Sequence, residues 1–187
     1  MKKLLLFAAV LLGACASRGP EFPEEEWQPL KPIEHLDLDR YMGRWYLIAS
    51  IPFFAEVGNV ATYVQYSKRD DGIIDDKYTA RDAFDKPPFT KNGLIEVTNP
   101  ANNAEGRITF LQPLWQDYAV VYMDKDYRNT VVAHPSRNYA WIFSRSPRMN
   151  DKVYDEALAA LKANGFSLDR VLKVPQKPED LGQPGFQ

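Results

Sequence analysis

The sequence contains few of the residues from which disulfides and metal sites are built. Its 187 residues include one cysteine, Cys15, and two histidines, His35 and His134. A single thiol excludes a disulfide within the chain, so the fold must be stabilised by its core. Two isolated histidines and one cysteine do not make a metal-ligand pattern. We therefore predict that the protein uses no metal and no cofactor.

Motifs for catalysis and for nucleic-acid binding are also missing. The chain has no Gly-x-Ser-x-Gly nucleophile motif and no glycine-rich phosphate loop. Its acidic pairs, Asp70-Asp71, Asp75-Asp76 and Asp124 with Asp126, lie in or beside predicted turns, and we interpret them as solvated side chains. No basic run occurs and the formal net charge is −2, which argues against a nucleic-acid partner. We predict that the protein is not an enzyme.

The longest apolar run near the start, Leu4–Leu12, is shorter than the about 20 residues of a membrane-spanning helix. It follows two lysines and precedes small residues, so residues 1–14 are predicted to be a signal peptide. The tetrad Leu12-Gly13-Ala14-Cys15 resembles the bacterial lipobox, which implies that Cys15 is lipidated and anchors the protein in a membrane. Ala16, where lipoproteins of the inner membrane often carry aspartate, favours the outer membrane of a Gram-negative bacterium, facing the periplasm. A plain secretory signal with a chance cysteine is the alternative.

Residues 15–34 are predicted to form an extended tether between the anchor and the folded domain. This segment contains the prolines Pro20, Pro23, Pro29 and Pro32 and the acidic run Glu24–Glu26. Proline removes backbone donors and like charges resist collapse.

The chain that follows is rich in aromatic residues, and its apolar residues alternate at the period of half-buried strands. Turn residues separate eight short segments at a spacing of about 10–12 residues, which predicts an antiparallel sandwich or barrel. A short helical turn capped by Asp37 or Asp39 is predicted to come first. The predicted strands are Trp45–Ile51, Val60–Lys68, Ile73–Ala80, a strand from Asn92 to Val97, Arg107–Gln112, Asp117–Met123, Thr130–His134 and Tyr139–Ser144.

One helix is predicted after the eighth strand. Asn150 can cap its start, Gly165 can end it, and apolar residues recur between them at four-residue steps. Leu168–Val174 is predicted to be a ninth strand. Gln176–Gln187 is rich in proline and glycine and is predicted to be a loose tail.

Three stretches resemble, in order and spacing, the motifs of the lipocalin family. Gly43-Arg44-Trp45-Tyr46 opens the first strand, Asp124-Lys125-Asp126-Tyr127 follows the sixth, and Trp141-Ile142-Phe143-Ser144-Arg145 ends the eighth. The likeness is to the bacterial members in particular, the Blc-type outer-membrane lipoproteins, although Lys125 stands where threonine is usual. It implies an all-β fold over residues 35–175: an eight-stranded antiparallel up-and-down lipocalin barrel with a C-terminal α-helix and a ninth strand.

The resemblance also implies how one end of the barrel is closed. Trp45 would plug this end, and Arg145 would pack across its ring with a cation–π attraction of about 0.5–2 kcal/mol. Gly43 would let the backbone pass closely at the start of the strand. We interpret Gly43, Trp45 and Arg145 as structural residues rather than ligand contacts.

Strand alternation and the resemblance together predict the wall of a cavity. Every second side chain of a strand points inward, and in lipocalins the loop after the first strand covers the open end. Ile142 and Ser144 are predicted to face out. The same wall residues are equally explained as packed core, since the sequence does not show whether the barrel is hollow. The predicted ligand-binding residues are Phe53, Phe54, Thr62, Val64, Tyr66, Tyr118, Val120, Tyr122, Tyr139, Trp141 and Phe143.

The resemblance implies a protein that binds, stores or transports a fatty acid or a lysophospholipid, with a role in membrane maintenance under stress. An aromatic cavity with phenol hydroxyls suits an amphiphile with a long apolar tail. Two alternatives stay open: an enzyme of the same fold that acts on a small apolar substrate, and a structural envelope lipoprotein with a filled barrel. The sequence also leaves a homodimer open.

Overall fold

The computed structural model describes residues 28–187. The predicted signal peptide, the predicted lipidation site Cys15 and the tether as far as residue 27 lie outside the described residues. In the part of the chain that is described, no helix is both long enough and apolar enough to cross a membrane.

Eight antiparallel strands close into a barrel, which confirms the predicted fold class. Consecutive strands pair with one another from β2 to β8. β1 pairs with both β8 and β2, which closes the ring. The short β9 pairs with β1 at Ala49 and Ser50. The elements are α1 (Leu38–Tyr41), β1 (Gly43–Ile51), β2 (Val60–Lys68), β3 (Ile74–Arg81), β4 (Phe89–Val97), β5 (Glu105–Leu111), β6 (Leu114–Met123), β7 (Asn129–Ala133), β8 (Ala140–Ser144), α2 (Asp151–Ala163) and β9 (Leu172–Lys173).

The barrel has an apolar core on each side of its wall. Inside, side chains such as Leu47 and Val64 pack together with the aromatic residues of the strands. Outside, α2 packs through Ala157 and Leu161 against the strands that its length covers. Ile142, which is predicted to face out, belongs to this outer core and is fully buried. Strand alternation therefore places apolar residues on both faces of β8 because the helix covers the outer one.

Three elements differ clearly in extent from the prediction. β4 begins at Phe89 rather than near Asn92, because Phe89 pairs with Ala80 of β3. β6 begins at Leu114, earlier than predicted, because it pairs with Leu111 of β5 across the two-residue turn Gln112-Pro113. β9 is only two residues long, because Leu168–Arg170 forms a 3₁₀ turn instead of strand.

The short helix α1 and the start of β1 meet at one end of the barrel. Asp37 caps α1, since its side chain accepts hydrogen bonds from the backbone N–H groups of Asp39 and Arg40 at 3.0 and 3.2 Å. Trp45 is fully buried, and its indole Nε1 donates to the carbonyl oxygen of Tyr41 at 2.8 Å. The indole thereby ties the first strand to the helix that precedes it.

Arg145 joins this end of the barrel to β8. Its guanidinium carbon lies 3.7 Å from the centroid of the Trp45 ring. The guanidinium also donates to the carbonyl oxygens of Arg40, Met42 and Arg44 at 2.7, 2.8 and 2.8 Å. Carbonyl groups at the end of a helix carry partial negative charge, which a cation offsets.

Gly43 makes room for this guanidinium. Its φ of +97° is rarely adopted by residues with a side chain, and an added Cβ would lie 3.2 Å from Arg145 Nη1. The glycine therefore serves both the turn from α1 into β1 and the close approach of the arginine.

Both ends of the described chain contact the barrel. The backbone N–H of Ile33, in the last part of the predicted tether, donates to the carbonyl oxygen of Val120 at 2.9 Å. The N–H of Lys173 in β9 donates to the carbonyl oxygen of Gly185 at 2.7 Å. The tail that is predicted to be loose thus lies beside β9. The contact between the tail and β9 is a hydrogen bond between backbone groups. It does not depend on side-chain composition, so the proline and glycine content of the tail did not predict this contact.

Replacement of Trp45 by alanine is expected to lower the free energy of unfolding by about 3–5 kcal/mol, because it removes a fully buried aromatic side chain. Chemical denaturation followed by circular dichroism measures the change. Trp115→Ala is the matched control, since Trp115 is partly exposed and the guanidinium carbon of Arg107 lies 4.7 Å from the centroid of its ring. It is expected to cost much less. A Trp45→Ala variant as stable as the unaltered protein would contradict the structural role of this indole.

Candidate ligand-binding site in the barrel

The end of the barrel opposite Trp45 is crossed by residues 52–59, the loop between β1 and β2. Phe53 and Phe54 on this loop are 38% and 79% exposed. The ring of Phe53 lies 5.3 Å from that of Tyr139, which precedes β8. The structure therefore places these predicted site residues together at the rim of the barrel, where they face solvent at least in part.

Polar contacts fasten the loop to the inner wall. Trp141 Nε1 donates to the two carboxylate oxygens of Glu56 at 3.0 and 3.2 Å, and the backbone N–H of Phe53 donates to the same carboxylate at 3.0 Å. Asn59 Nδ2 donates to the hydroxyl of Tyr78 at 2.9 Å. The predicted site residue Trp141 thus lies below the rim and holds the loop through its indole N–H.

The inner wall brings together residues from β2, β6 and β8. Alternation holds along β2, where every second residue is buried. Leu47, Tyr78, Ile95 and Val132 complete the wall and were not among the predicted site residues. The predicted site residues that the structure buries inside the barrel are Thr62, Val64, Tyr66, Tyr118, Val120 and Phe143.

Tyr122 is an exception, because the prediction that its side chain points into the barrel is wrong. Its hydroxyl donates to the carboxylate of Glu156 on α2 at 2.9 Å, so the side chain lies on the outer face of the barrel. The cause is a bulge in β6. Val120 pairs with Val132 of β7 and Tyr122 pairs with the adjacent Val131, so Val121 has no partner of its own. One extra residue reverses the inward and outward positions beyond it.

Asp76 is a charged inner-wall residue that the sequence analysis also missed. We interpreted it as a solvated turn residue, but it lies within β3, is 3% exposed, and pairs with Tyr66 of β2 and Gly93 of β4. Ile74 and Tyr78, two residues before and after it, belong to the inner core. The same alternation that identified the strand could have placed Asp76 inside the barrel. Its Oδ1 has no hydrogen-bond partner among the described residues.

Burial determines the electrostatics of the interior. Burial, and to a lesser extent the charge of Glu56, raises the pKa of Asp76 to about 8. Burial also raises the pKa of Glu56, against the opposing effect of its hydrogen bonds from Trp141 and Phe53. Both carboxyls therefore ionise less readily than a carboxyl in water, because an apolar surrounding disfavours the charged form.

Cations are scarce in this interior. Among the described residues, the buried basic residue is Arg137, which is 8% exposed and donates to the carbonyl oxygen of Asn164 at the end of α2, beside the outer core. The guanidinium of Arg145 lies at the closed end against Trp45. The described residues contain no group of histidines, cysteines or carboxylates that could hold a metal ion. The interior of the described barrel therefore presents apolar and aromatic surface together with the carboxyls of Asp76 and Glu56.

Comparison with known proteins identifies relatives of the whole domain. A family model described as a lipocalin-like domain matches residues 36–176. The chain is 31% identical over 173 residues to the outer membrane lipoprotein Blc of Escherichia coli K12, which covers 90% of this chain and 92% of that protein. It is 29% identical over 161 residues to temperature-induced lipocalin-1 of Arabidopsis thaliana, which covers 81% of this chain and 85% of that protein.

A solved structure shows the same fold at lower identity. Insecticyanin from the tobacco hornworm Manduca sexta matches with a TM-score of 0.64 and 18% identity, over 81% of this chain and 87% of that protein. Identity at this level supports the shared architecture alone.

The stability of the protein is expected to fall as pH rises from about 5 to 8, by up to about 1.4 kcal/mol per pH unit. Burial raises the pKa of Asp76 from 3.8 to about 8, so the folded protein holds a proton that the unfolded chain has already released. The stabilisation from this bound proton is complete below the pKa that Asp76 has in the unfolded chain. It is lost as pH rises through the pKa that Asp76 has in the folded protein. Asp76→Asn should remove the part of this dependence that Asp76 contributes and leave the part that follows from the raised pKa of Glu56, as measured by urea denaturation at several pH values.

Asp75→Asn is the control for this titration. Asp75 precedes Asp76 on the same strand, but its side chain is 41% exposed and Arg69 lowers its pKa. It is ionised in both states above pH 5, so its substitution should leave the slope unchanged. An unaltered slope in Asp76→Asn would contradict the assignment to Asp76.

Proposed function

The chain belongs to the lipocalin family, and from this premise we propose that its barrel binds, stores or transports a lipid, either a fatty acid or a lysophospholipid. Lipocalins are typically binding proteins rather than enzymes, so we assign the barrel a binding role and no catalytic one. The relatives support a hydrophobic ligand, and the class of lipid is our inference from the shape and chemistry of the barrel.

The observation that carries the proposal is the difference between the two ends of the barrel. One end is closed by Trp45 and by Arg145, whose guanidinium is held by the indole ring and backbone carbonyls. At the other end, exposed Phe53 and Phe54 lie above an inner wall of apolar and aromatic side chains. An apolar chain that enters beside these phenylalanines would meet hydrophobic contacts along the wall.

We further propose that the protein is anchored in the outer membrane through a lipidated Cys15. The support is the lipobox-like tetrad that ends at Cys15 and the likeness to a protein named outer membrane lipoprotein Blc. An anchored carrier would meet its ligand at the membrane surface. This proposal includes the expected role in membrane maintenance.

Titration of the delipidated protein with oleate and with oleoyl lysophosphatidylethanolamine, followed by native mass spectrometry, tests the binding proposal. We expect saturable binding of one lipid per chain. Trp141→Ala should weaken this binding about ten- to hundredfold, because it removes a large aromatic surface from the inner wall. Trp115→Ala should leave it unchanged, since Trp115 packs against Arg107 rather than in the inner core.

Failure of both lipids to saturate the unaltered protein would contradict the proposed function. Equal losses in Trp141→Ala and Trp115→Ala would place the lipid outside the barrel. Thermal unfolding of each variant separates weaker binding from loss of the fold.

A further inference from the structure

The barrel interior contains a carboxyl group whose presence neither the fold nor the closed end explains. Asp76 lies on the inner face of β3, is 3% exposed, and its Oδ1 has no hydrogen-bond partner among the described residues. A buried polar atom without a partner costs about 1–3 kcal/mol, and a charged one more. Leu or Val at this position would fill the same inner wall without that cost. The unpaired oxygen of Asp76 is therefore explained if a bound ligand, rather than another residue of the protein, is its partner.

The surroundings of Asp76 define the chemistry of such a partner. Five titratable groups interact electrostatically with Asp76. They are Tyr41 of α1, Tyr66 of β2, Tyr78 of β3, Tyr118 of β6 and Glu56 of the loop at the mouth. All five are neutral or acidic groups. The rings of Tyr41 and Tyr66 stack with their centroids 5.3 Å apart. Carboxyls together with aromatic faces are the environment that binds ammonium groups.

Basic groups of the protein are already engaged elsewhere. Arg145 interacts electrostatically with the hydroxyls of Tyr41 and Tyr66, but its guanidinium donates to backbone carbonyls and stacks on the Trp45 ring. Lys91 acts on Glu56 and not on Asp76. Asp76 therefore lacks the ion pair that its exposed neighbour Asp75 makes with Arg69.

We propose that Asp76 is a cation-accepting subsite deep in the barrel, and that the preferred ligand is an amphiphile whose head group carries a protonated amine or a quaternary ammonium. This inference rests on the proposed function, because it assumes that a lipid enters the barrel. The ammonium lies beside the Asp76 carboxylate and the tyrosine rings, and the alkyl chain extends toward Phe53 at the mouth. A free fatty acid lacks the cation and brings a second negative charge to the same carboxyl.

The pH dependence of binding follows from the titration of Asp76. The carboxyl must ionise to pair with the cation, and burial raises its pKa to about 8. Affinity for a permanent cation therefore rises with pH and levels off above this value. Between pH 6.5 and 8.5 the ionised fraction, and with it the affinity, increases about twentyfold. A fatty acid shows the opposite trend, since the ionised carboxyl repels it.

The experiment compares three probes of equal chain length, used below their critical micelle concentrations: dodecyltrimethylammonium, dodecanoate and uncharged monododecanoylglycerol. Isothermal titration calorimetry at pH 6.5 and 8.5 gives the dissociation constants. We expect the ammonium probe to bind most tightly at pH 8.5 and about twentyfold more weakly at pH 6.5. The uncharged probe is expected to bind equally at both values.

Two variants test whether Asp76 is the group responsible. Asp76→Asn should weaken binding of the ammonium probe at pH 8.5 about ten- to hundredfold and abolish its pH dependence. It should leave the uncharged probe unaffected, which shows that the barrel is intact. Asp75→Asn, next to it on the outer face of the same strand, should leave all three probes unaffected.

The outcomes separate this inference from the function on which it rests. If none of the three probes binds, the proposed binding function is overturned. If dodecanoate and the uncharged probe bind but the ammonium probe has no advantage, or keeps its pH dependence in Asp76→Asn, the cation-accepting subsite alone is overturned.

Discussion

The contact between Arg145 and Trp45 is the interaction on which the rest of the barrel depends. It joins residues one hundred positions apart in the chain, and it brings the end of β8 to the start of β1, where the barrel must close. The same guanidinium also donates hydrogen bonds to the backbone carbonyls of Arg40, Met42 and Arg44, so these donors are already engaged at the closed end. A barrel sealed in this way at one end has one remaining entrance, and the loop with Phe53 and Phe54 lies there.

The interior that results has a conflict between packing and charge. Apolar and aromatic residues fill most of the inner wall, yet Asp76 lies among them with an unpaired oxygen and a pKa raised by burial to about 8. A wall selected for stability alone would not carry this group. The cost is understandable if the barrel must recognise one end of its ligand, since apolar contacts hold an alkyl chain but do not orient it. Polar recognition inside the barrel and hydrophobic contacts at its mouth then act on opposite ends of one molecule.

Much of this fold could be predicted from the sequence, because it depends on local signals. Period-two alternation and turn residues identified the strands, and Asn150 and Gly165 bounded the helix. The closing residues were recognised through a family resemblance. Tyr122 could not be placed correctly, since a bulge at Val121 is set by the pairing of β6 with β7 and leaves no mark in the alternation. Asp76 was different: its strand position pointed inward, but an acidic pair beside a turn suggested solvent.

The central claim is that a barrel closed by Arg145 and Trp45 takes an amphiphile through the opposite end and meets its cationic head group with Asp76. A crystal structure of the protein with bound dodecyltrimethylammonium tests this claim most directly. The account predicts the alkyl chain inside the barrel, with the nitrogen against the Asp76 carboxylate and the rings of Tyr41 and Tyr66. A ligand on the outer surface, or one whose nitrogen lies at the rim beside Phe53, would contradict it.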